Sequence, residues 1–348
     1  MLHTQGYAAM NAGAALKPFS FNRRSVGLHD VLIQIRYCGI CHSDIHQARD
    51  EWGGSIFPMV PGHEIVGTVL QVGADVKKWK ENDGVGVGCF VDSCRTCGAC
   101  RDGLEQYCEA GMILTYNGLD HEGAPTYGGY SKQIVVDENY LLRIPSSLSL
   151  EGTAPLLCAG VTTYSPLKHW GVGKGHRLGV VGLGGLGHMA VKIGKALGAD
   201  VTVFSRSETK RTDAERLGAI DYVATGKEGA MAGKSGKYDF IIDTVSATHD
   251  YNAYLDLLTR DGTMILVGAP SDPLPVLVFH LVLKRRRMVG SLIGGIQETQ
   301  EMLDFCAEHH IPSDVEVIPI QQVNEAYERI MKGDVRFRFV IDMASLEA

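Results

Sequence analysis

Short apolar runs of strand length alternate with polar and glycine-containing segments over the first 150 residues of the chain. Four of these runs are rich in β-branched residues and are bounded by turn-forming residues, which is typical of strands joined by loops. They read VLIQIRY (31–37), EIVGTVLQVG (64–73), GYSKQIVV (129–136) and YLLRIP (140–145). The pattern therefore predicts a compact, mostly-β unit with long loops.

The pattern changes near Ser149, after which strand-length apolar runs alternate with amphipathic segments of helix length. The strand-like runs are LGVVGLG (178–184), VTVFS (201–205), YVA (222–224), YDFIIDTV (238–245) and TMILVGA (263–269). The helix-like segments include LGHMAVKIGKALG (186–198) and SETKRTDAERLG (207–218). Strands separated in this way predict a parallel sheet with crossover helices, so the fold class is α/β.

The end of the chain carries two helix-like segments, each followed by a strand-like run. They read ETQEMLDFCAEHH (298–310), DVEVIPI (314–320), NEAYERIMKG (324–333) and FRFVIDM (337–343). Taken alone, their pattern allows this tail to complete either the β unit or the α/β unit.

Composition narrows the class of protein. A chain of 348 residues exceeds what one hydrophobic core usually accommodates, so two domains are predicted. The formal net charge of −7 argues against a nucleic-acid partner, because phosphate binding favours a basic domain. No apolar stretch approaches the ~20 residues of a membrane helix, and the N-terminus lacks a signal-peptide pattern. We therefore expect a cytoplasmic protein with no membrane partner, whose nine cysteines are ligands or free thiols.

Four cysteines are concentrated in the segment SCRTCGACRDGLEQYC (93–108). They are Cys94, Cys97, Cys100 and Cys108. Four thiolates on one short loop can close a tetrahedron around zinc, and such a closed site is structural. The alternatives are an iron–sulfur cluster, whose usual bacterial spacing differs, and a set of buried or disulfide-bonded cysteines. A closed site alone would fit a zinc-binding module without catalysis equally well.

A glycine-rich motif, GLGGLG, follows the strand-like run LGVV and opens a helix-like segment. Its residues are Gly182, Leu183, Gly184, Gly185, Leu186 and Gly187. In a strand–turn–helix context this motif predicts a dinucleotide site. The first glycine permits the tight turn, the second lets the backbone approach a pyrophosphate, and the third allows close packing of the helix. The alternative is a glycine-rich turn without a ligand.

The end of the second strand indicates which dinucleotide binds. An NAD site would carry an acidic residue about 20 residues past the glycine turn, where it contacts the ribose hydroxyls. Here that place holds Ser205 and Arg206, with Lys210 one turn further on. A hydroxyl and two cations suit the 2′-phosphate of NADP(H), and the nearest acid, Glu208, lies past the strand. An alternative is that Arg206 is only a surface charge.

Three further residues are candidate ligands of a second, open metal site. Cys41 lies in CGICHSDIH, His63 in PGHE and Cys158 in PLLCAG. Each is unremarkable alone, since a lone cysteine is usually a small buried apolar residue. Two thiolates and one imidazole together make a three-ligand zinc site with one open position, which acts as a Lewis acid on an oxygen.

With these motifs the chain resembles the zinc-dependent medium-chain alcohol dehydrogenases. It is most similar to their cinnamyl-alcohol-dehydrogenase-like branch, which includes broad-specificity NADPH-dependent aldehyde reductases of bacteria. The resemblance covers essentially the whole length. Its motifs are GICHSDIH (39–46), VPGHEIVG (60–67), the four-cysteine lobe, APLLCAGVTTYSPL (154–167), VVGLGGLGH (180–188) and GSLIGG (290–295).

The resemblance implies a GroES-like catalytic domain that includes both chain ends and a Rossmann cofactor domain between them. We place the catalytic domain at residues 1–153 and 297–348 and the Rossmann domain at 154–296. The family also implies a homodimer formed through the cofactor domains. One departure is the segment ENDGVGVG (81–88), which carries Asn82 where the family usually has a Gly-Asp pair followed by an apolar residue. Asn tolerates a positive φ, so only a local change is expected.

The resemblance also implies roles for single residues. Cys41, His63 and Cys158 would bind catalytic zinc, and Glu64 could be a fourth ligand. Asp44 would orient His63, and Ser43 and His46 stand where the family places its proton relay, with Ser43 also beside the cofactor. Six further residues are expected to contact the dinucleotide: Thr162, Thr244, Gly268, Ser291, Leu292 and Ile293. Of these, Thr162 and residues 291–293 would line its nicotinamide end.

The implied enzyme is a zinc-dependent oxidoreductase with one catalytic and one structural Zn²⁺ per chain. It would interconvert primary alcohols and aldehydes, aromatic or medium aliphatic, by hydride transfer with NADP(H), and favour aldehyde reduction. One alternative is an NAD-dependent polyol or secondary-alcohol dehydrogenase. An alternative of another class is a non-catalytic zinc-binding protein with a vestigial Rossmann domain.

Overall fold

The computed structural model describes residues 1–270 and 273–347. The chain divides into two compact units. Unit 1 contains Met1–Val161 and the chain from Gly294 onward, and unit 2 contains Thr162–Ile293. The tail therefore belongs to unit 1. The domain boundaries at 153/154 and 296/297 stay a prediction, since the compact units change at other residues.

The elements follow the apolar runs of the sequence. The strands, numbered in chain order, are β1 Leu2–Ala8, β2 Lys17–Arg23, β3 Asp30–Gly39, β4 Ile65–Val72, β5 Gly84–Val87, β6 Phe90–Asp92, β7 Ile113–Leu114, β8 Gln133–Asp137, β9 Leu142–Arg143, β10 Arg177–Val181, β11 Asp200–Ser205, β12 Asp221–Ala224, β13 Tyr238–Asp243, β14 Leu258–Leu266, β15 Arg287–Gly290, β16 Val315–Pro319 and β17 Arg338–Asp342. The helices are α1 His42–Ala48, α2 Gly98–Arg101, α3 Leu150–Thr153, α4 Ala159–His169, α5 Gly185–Ala196, α6 Arg211–Leu217, α7 Tyr251–Leu257, α8 Phe279–Val282, α9 Ile296–Glu308 and α10 Val323–Met331.

The main sheet of unit 1 is arranged around β3. Its strand order is β16-β17-β3-β4-β5-β9, and β8 also pairs with β3. β3 and β4 are antiparallel, with Val31 opposite Val72 at one end and Cys38 opposite Ile65 at the other. Ile33 of β3 and Ile65 and Val66 of β4 are fully buried, as expected for a core sheet. The pairing brings the end of β3 beside the start of β4, where the candidate metal ligands lie.

Unit 2 contains a parallel sheet with the strand order β12-β11-β10-β13-β14-β15. Val180, Val203 and Ile241 are fully buried, as expected for parallel strands covered on both faces. The strand order reverses between β10 and β13. Ligands of such sheets bind outside the carboxyl ends of the strands at this switch point, and the glycine motif directly follows β10. Unit 2 is therefore a Rossmann fold.

The α/β fold class with a mostly-β unit is confirmed, and Asn82 has a φ of 71°, as expected. The sequence pattern missed the antiparallel hairpin of β1 and β2, whose strands are rich in polar residues. It also missed α1, which lies inside a motif noticed for its ligands. Among the described residues, no helix combines the length and the apolar character needed to cross a membrane.

Candidate active site

Four potential metal ligands converge in unit 1. They are Cys41, His63, Glu64 and Cys158, and one ligand atom of each lies within 4.8 Å of those of the other three. All four residues are buried. The sulfur atoms of Cys41 and Cys158 are 4.0 Å apart. Two sulfurs, one imidazole and one carboxylate at this spacing fit a tetrahedral zinc ion.

Neighbouring backbone segments bring these ligands together. Cys41 is the N-cap residue of α1, just after β3, and His63 and Glu64 directly precede β4. The turn before His63 depends on Gly62, which has a φ of 104°. A Cβ atom on Gly62 would lie 2.7 Å from both the Cys38 sulfur and the Tyr130 ring, so only glycine fits there.

Asp44 connects this site to its surroundings. Its Oδ1 accepts hydrogen bonds from the Gly62 N–H and His63 Nδ1, both at 3.1 Å. Its Oδ2 accepts from the Cys41 N–H at 2.8 Å and the Tyr130 hydroxyl at 3.3 Å. A proton on Nδ1 of His63 leaves Nε2 as the nitrogen that can bind a metal, and Asp44 fixes the orientation of the ring.

Glu64 has one carboxylate oxygen paired and one without a partner. Its Oε1 forms an ion pair with the buried guanidinium of Arg338 on β17. Its Oε2 is buried and has no hydrogen-bond partner. Burial raises the pKa of Glu64 to about 7, although the charge of Arg338 opposes this shift. A buried oxygen without a partner beside two thiols is consistent with an intermittent metal ligand.

The two thiols of this set differ in their electrostatics, because the hydrogen bond between them lowers the pKa of Cys41 and raises the pKa of Cys158. The hydrogen bond from the Cys158 thiol lowers the pKa of Cys41 well below its ordinary value, although burial opposes this shift. The positive charge of Arg338 acts in the same direction. Because the thiolate is the form of cysteine that binds metals, this environment favours coordination.

The predicted relay residues Ser43 and His46 are three positions apart on α1, so they share a face of the helix. Ser43 Oγ lies 3.7 Å from Cys41 Sγ. His46 Nδ1 pairs with the Glu51 carboxylate, and its ring packs on Trp52 with centroids 4.9 Å apart. Ser43 therefore lies beside the metal ligands, whereas His46 lies further out with a carboxylate partner.

The four-cysteine lobe forms a second cluster in unit 1. The sulfurs of Cys94, Cys97, Cys100 and Cys108 lie within 4.8 Å of one another. All four are free thiols, so a disulfide is not what holds them together. Backbone N–H groups of the lobe point at the sulfurs, for example Cys97 N to Cys94 Sγ at 3.3 Å. Hydrogen bonds from the backbone lower the pKa of Cys94 to about 6, which favours a thiolate there, whereas burial raises the pKa of Cys100 to about 12.

The glycine motif of unit 2 has the geometry of a phosphate-binding turn. Gly182 has a φ of 87°, which glycine accommodates without strain. A Cβ on Gly184 would meet nothing within 4 Å, so the backbone here is open to a ligand. A Cβ on Gly187 would collide with the Gly182 carbonyl and approach Thr244 Oγ1 to 3.3 Å. The turn is therefore tight on its inner side and open on its outer side.

The rest of the motif connects this turn to Lys210. Gly185 and Leu186 lie in the first turn of α5, whose N-terminal N–H groups attract anions. Lys210 Nζ donates a hydrogen bond to the Leu183 carbonyl at 2.9 Å. Lys210 is thus held against the glycine turn.

The end of β11 carries the residues expected to select the dinucleotide. Ser205 is half-buried, and the next residue, Arg206, is exposed. Glu208 does not pair with Lys210, its near neighbour in sequence. Its carboxylate instead contacts Arg211 and Lys227.

Other predicted cofactor residues also lie at the carboxyl edge of this sheet. Thr244 follows β13 and donates from its hydroxyl to the Val181 carbonyl at 2.8 Å. Gly268 follows β14, and its N–H donates to the Asp243 carbonyl at 3.0 Å. Ser291 follows β15. These residues and the glycine turn therefore share the edge at which open α/β sheets bind ligands.

The remaining three predicted cofactor residues differ in exposure. Ile293 is buried with a φ of 34°, whereas Leu292 is 46% exposed. Thr162 is buried on α4 and does not lie at the end of a strand.

Sequence reasoning missed two charged residues of unit 1. Arg338 contacts Glu64 from 274 positions away, and no local pattern indicates that pairing. Glu51, the partner of His46, lies only five positions away. A carboxylate one turn beyond a candidate relay histidine is a signal that could have been noticed.

Two family models match the chain. Residues 27–146 match the alcohol dehydrogenase GroES-like domain, and residues 185–308 match the zinc-binding dehydrogenases. The chain belongs to the zinc-binding dehydrogenase family. It is therefore an oxidoreductase, and the resemblance noted from its motifs is confirmed.

Individual relatives are similar over nearly the whole chain. NADP-dependent alcohol dehydrogenase C 1 of Mycolicibacterium smegmatis is 55% identical, and the match covers 100% of both proteins. Aldehyde reductase YahK of Escherichia coli is 54% identical over 97% of both. The solved structure of cinnamyl alcohol dehydrogenase SbCAD4 from Sorghum bicolor is 48% identical, with a TM-score of 0.96 and 98% of both chains covered.

Proposed function

We propose that the chain is an NADP(H)-linked alcohol dehydrogenase that interconverts primary alcohols and aldehydes and favours aldehyde reduction. The observation that carries this proposal is the buried set of two thiols, an imidazole and a carboxylate in a chain with a dinucleotide-binding turn. Relatives that are about half identical carry names of the same activity. We expect aromatic or medium aliphatic aldehydes to be reduced.

A kinetic screen tests this function. Purified protein would be assayed with a series of aldehydes and NADPH or NADH, and with polyols and secondary alcohols in the reverse direction. The proposal is supported if kcat/KM is higher for the reduction of primary aldehydes than for any other reaction in the screen. Better turnover of polyols with NAD⁺ would favour the alternative dehydrogenase.

Cys41, His63 and Cys158 would hold the catalytic zinc, with Glu64 as an alternating fourth ligand. Zinc in such a site polarises the oxygen of a bound carbonyl and so makes its carbon easier to reduce. Asp44 keeps the His63 ring in the orientation for binding. Burial of the four ligands excludes water that would compete for the open position.

Ser43 and His46 would deliver the proton that an aldehyde oxygen gains on reduction. The Ser43 hydroxyl can donate and accept at once, which suits a group next to the reacting oxygen. Glu51 holds the His46 ring through Nδ1, and a neutral imidazole has one nitrogen that can donate a proton and one that can accept it. The second zinc would be held by the four-cysteine lobe and would stabilise the fold.

The cofactor preference should favour NADPH over NADH at least about tenfold in kcat/KM, because a charged hydrogen bond contributes roughly 1.5–3 kcal/mol before desolvation. The groups expected to supply these bonds are Ser205, Arg206 and Lys210. A double variant, Ser205→Asp with Arg206→Ile, should shift the preference toward NADH. Steady-state kinetics with both cofactors measure the ratio.

A matched control is Arg260→Ile, which removes an exposed arginine elsewhere in unit 2. This variant should keep the ratio of the parent. Equal use of both cofactors by the parent protein would contradict the assignment of the NADP(H) site.

We propose a homodimer formed through unit 2. The support is an exposed apolar segment around α8, in which Leu277, Phe279 and Leu283 are 63%, 72% and 76% exposed. Next to it in the chain, β15 ends the strand order of the sheet, so one side of this strand is unpaired within the described residues. A second copy of the chain would cover both features.

A cytoplasmic location is also proposed, because nine free thiols suit a reducing compartment.

Phe279→Glu should convert the dimer into a monomer, because a carboxylate would have to be buried in an apolar interface. Light scattering after size-exclusion chromatography measures the mass. Ile220→Glu is the control, since Ile220 is 69% exposed beside the opposite edge strand, β12, and should leave the dimer intact. A parent protein that runs as a monomer would disprove the proposed assembly.

A further inference from the structure

The loop after β12 is fixed against the end of β11. The Thr225 N–H donates to the Ser205 carbonyl at 2.8 Å, and the Gly226 N–H donates to the Arg206 carbonyl at 2.9 Å. A Cβ on Gly226 would lie 2.5 Å from the Arg206 carbonyl, so this approach depends on glycine. The loop thereby brings Lys227 next to the residues that follow Ser205.

Glu208 is bound by two cations at this position. Its Oε2 lies 2.8 Å from Arg211 Nε, and its Oε1 lies 2.8 Å from Lys227 Nζ. Arg211 also stacks on Tyr222, with its guanidinium carbon 4.9 Å from the ring centroid. The hydrogen bonds from Arg211 and Lys227 lower the pKa of Glu208 to about 2, so it is a carboxylate throughout the neutral range.

The place of this carboxylate matters for dinucleotide choice. Glu208 is three positions after Ser205 and two before Lys210, among the groups proposed to bind the 2′-phosphate. A free carboxylate there would repel a phosphate, since charges interact over about 8 Å at physiological ionic strength. It would also resemble the acidic residue that binds the ribose hydroxyls of NAD.

We propose that Arg211 and Lys227 determine cofactor specificity by holding the Glu208 carboxylate, so that its charge neither repels the 2′-phosphate nor binds a free ribose diol. This inference rests on the proposed use of NADP(H). The three side chains together carry one net positive charge. Without the charges of Arg211 and Lys227, the Glu208 carboxylate would leave one net negative charge at the same place. NADP(H) would then bind more weakly.

The test measures binding of NADP⁺ and NAD⁺ to the zinc-loaded protein by isothermal titration calorimetry. The double variant Arg211→Ala with Lys227→Ala should weaken NADP⁺ binding about three- to tenfold, because exposed ion pairs contribute little free energy. Its NAD⁺ binding should change less than about twofold. Adding Glu208→Gln to this double variant should restore NADP⁺ affinity to near the parent value. Glu208→Gln alone should have a small effect, because its charge is already compensated.

If Glu208→Gln restores the NADP⁺ affinity of the double variant, Arg211 and Lys227 act through the Glu208 carboxylate. If the triple variant binds NADP⁺ as weakly as the double variant, the cations act directly on the phosphate and the inference is wrong. It is also wrong if the double variant binds like the parent. A parent that does not prefer NADP⁺ contradicts the proposed function itself, which is a separate outcome.

Arg177→Ala is the matched control. Arg177 Nε lies 3.7 Å from Asp239 Oδ2, at the amino ends of β10 and β13. Its removal also frees a carboxylate in unit 2, but at the edge of the sheet opposite the end of β11, so the affinities for both dinucleotides should stay at the parent values. Thermal unfolding of every variant checks that the fold is retained.

Discussion

Cys158→Ser is expected to abolish turnover in a protein that stays folded, whereas Cys97→Ser should destabilise the protein strongly. Cys158 belongs to the buried set that we propose as the open zinc site, so its loss would remove one of the proposed ligands. Lewis-acid polarisation contributes several kcal/mol to such reactions, so kcat should fall by more than about a thousandfold. Cys97 belongs to the closed four-thiol set, where structural zinc contributes free energy of folding directly.

Elemental analysis, thermal unfolding and kcat distinguish the two effects. The parent should contain two zinc ions per chain, and each variant should lose one. Cys306→Ala is the control, because Cys306 is a buried thiol outside both ligand sets. One metal per chain in the parent, or iron with a visible absorption band, would disprove the assignment.

The sequence was informative wherever chemistry is concentrated in short motifs. The four cysteines within fifteen residues and the glycine turn between β10 and α5 were predicted because their spacing reflects local geometry. Most strands of the two main sheets were also predictable, since buried strands need apolar runs, but β5 and β15 were not predicted. The assembly of Cys41, His63 and Cys158 needed the family resemblance, because their convergence depends on how β3 pairs with β4.

Contacts between segments that are distant in the chain could not be predicted from the sequence. The ion pair of Arg338 with Glu64 links β17 to the start of β4, and the arginine lies in an ordinary apolar strand. The partners of Glu208 were missed for a similar reason. Lys210 is close to Glu208 in sequence, but the loop after β12 brings Lys227 to the carboxylate, and Lys210 instead contacts the glycine turn.

Ser43→Ala is expected to lower kcat for aldehyde reduction by about 10²–10⁴-fold, the usual contribution of a general acid–base group. An aldehyde oxygen gains a proton when it becomes an alcohol, and the candidate ligands around Cys41 are buried, so this proton needs a path from solvent. Ser43 Oγ is 3.7 Å from Cys41 Sγ, so its hydroxyl would be the inner member of the proposed relay. Ser43→Thr should remain active, because it keeps the hydroxyl.

The outer members of the relay should matter less. His46 is paired with the exposed carboxylate of Glu51, and bulk water can partly replace a group in this position. His46→Gln should therefore cost less than Ser43→Ala, and Glu51→Gln, which keeps the shape but removes the charge, should cost less still. The measurement is kcat for the parent and the four variants over a pH range of about 5.5 to 9, with zinc content checked in each. If Ser43→Ala keeps near-parent kcat with zinc fully bound, the hydroxyl carries no proton, and Ser43 is only a neighbour of Cys41 in the fold.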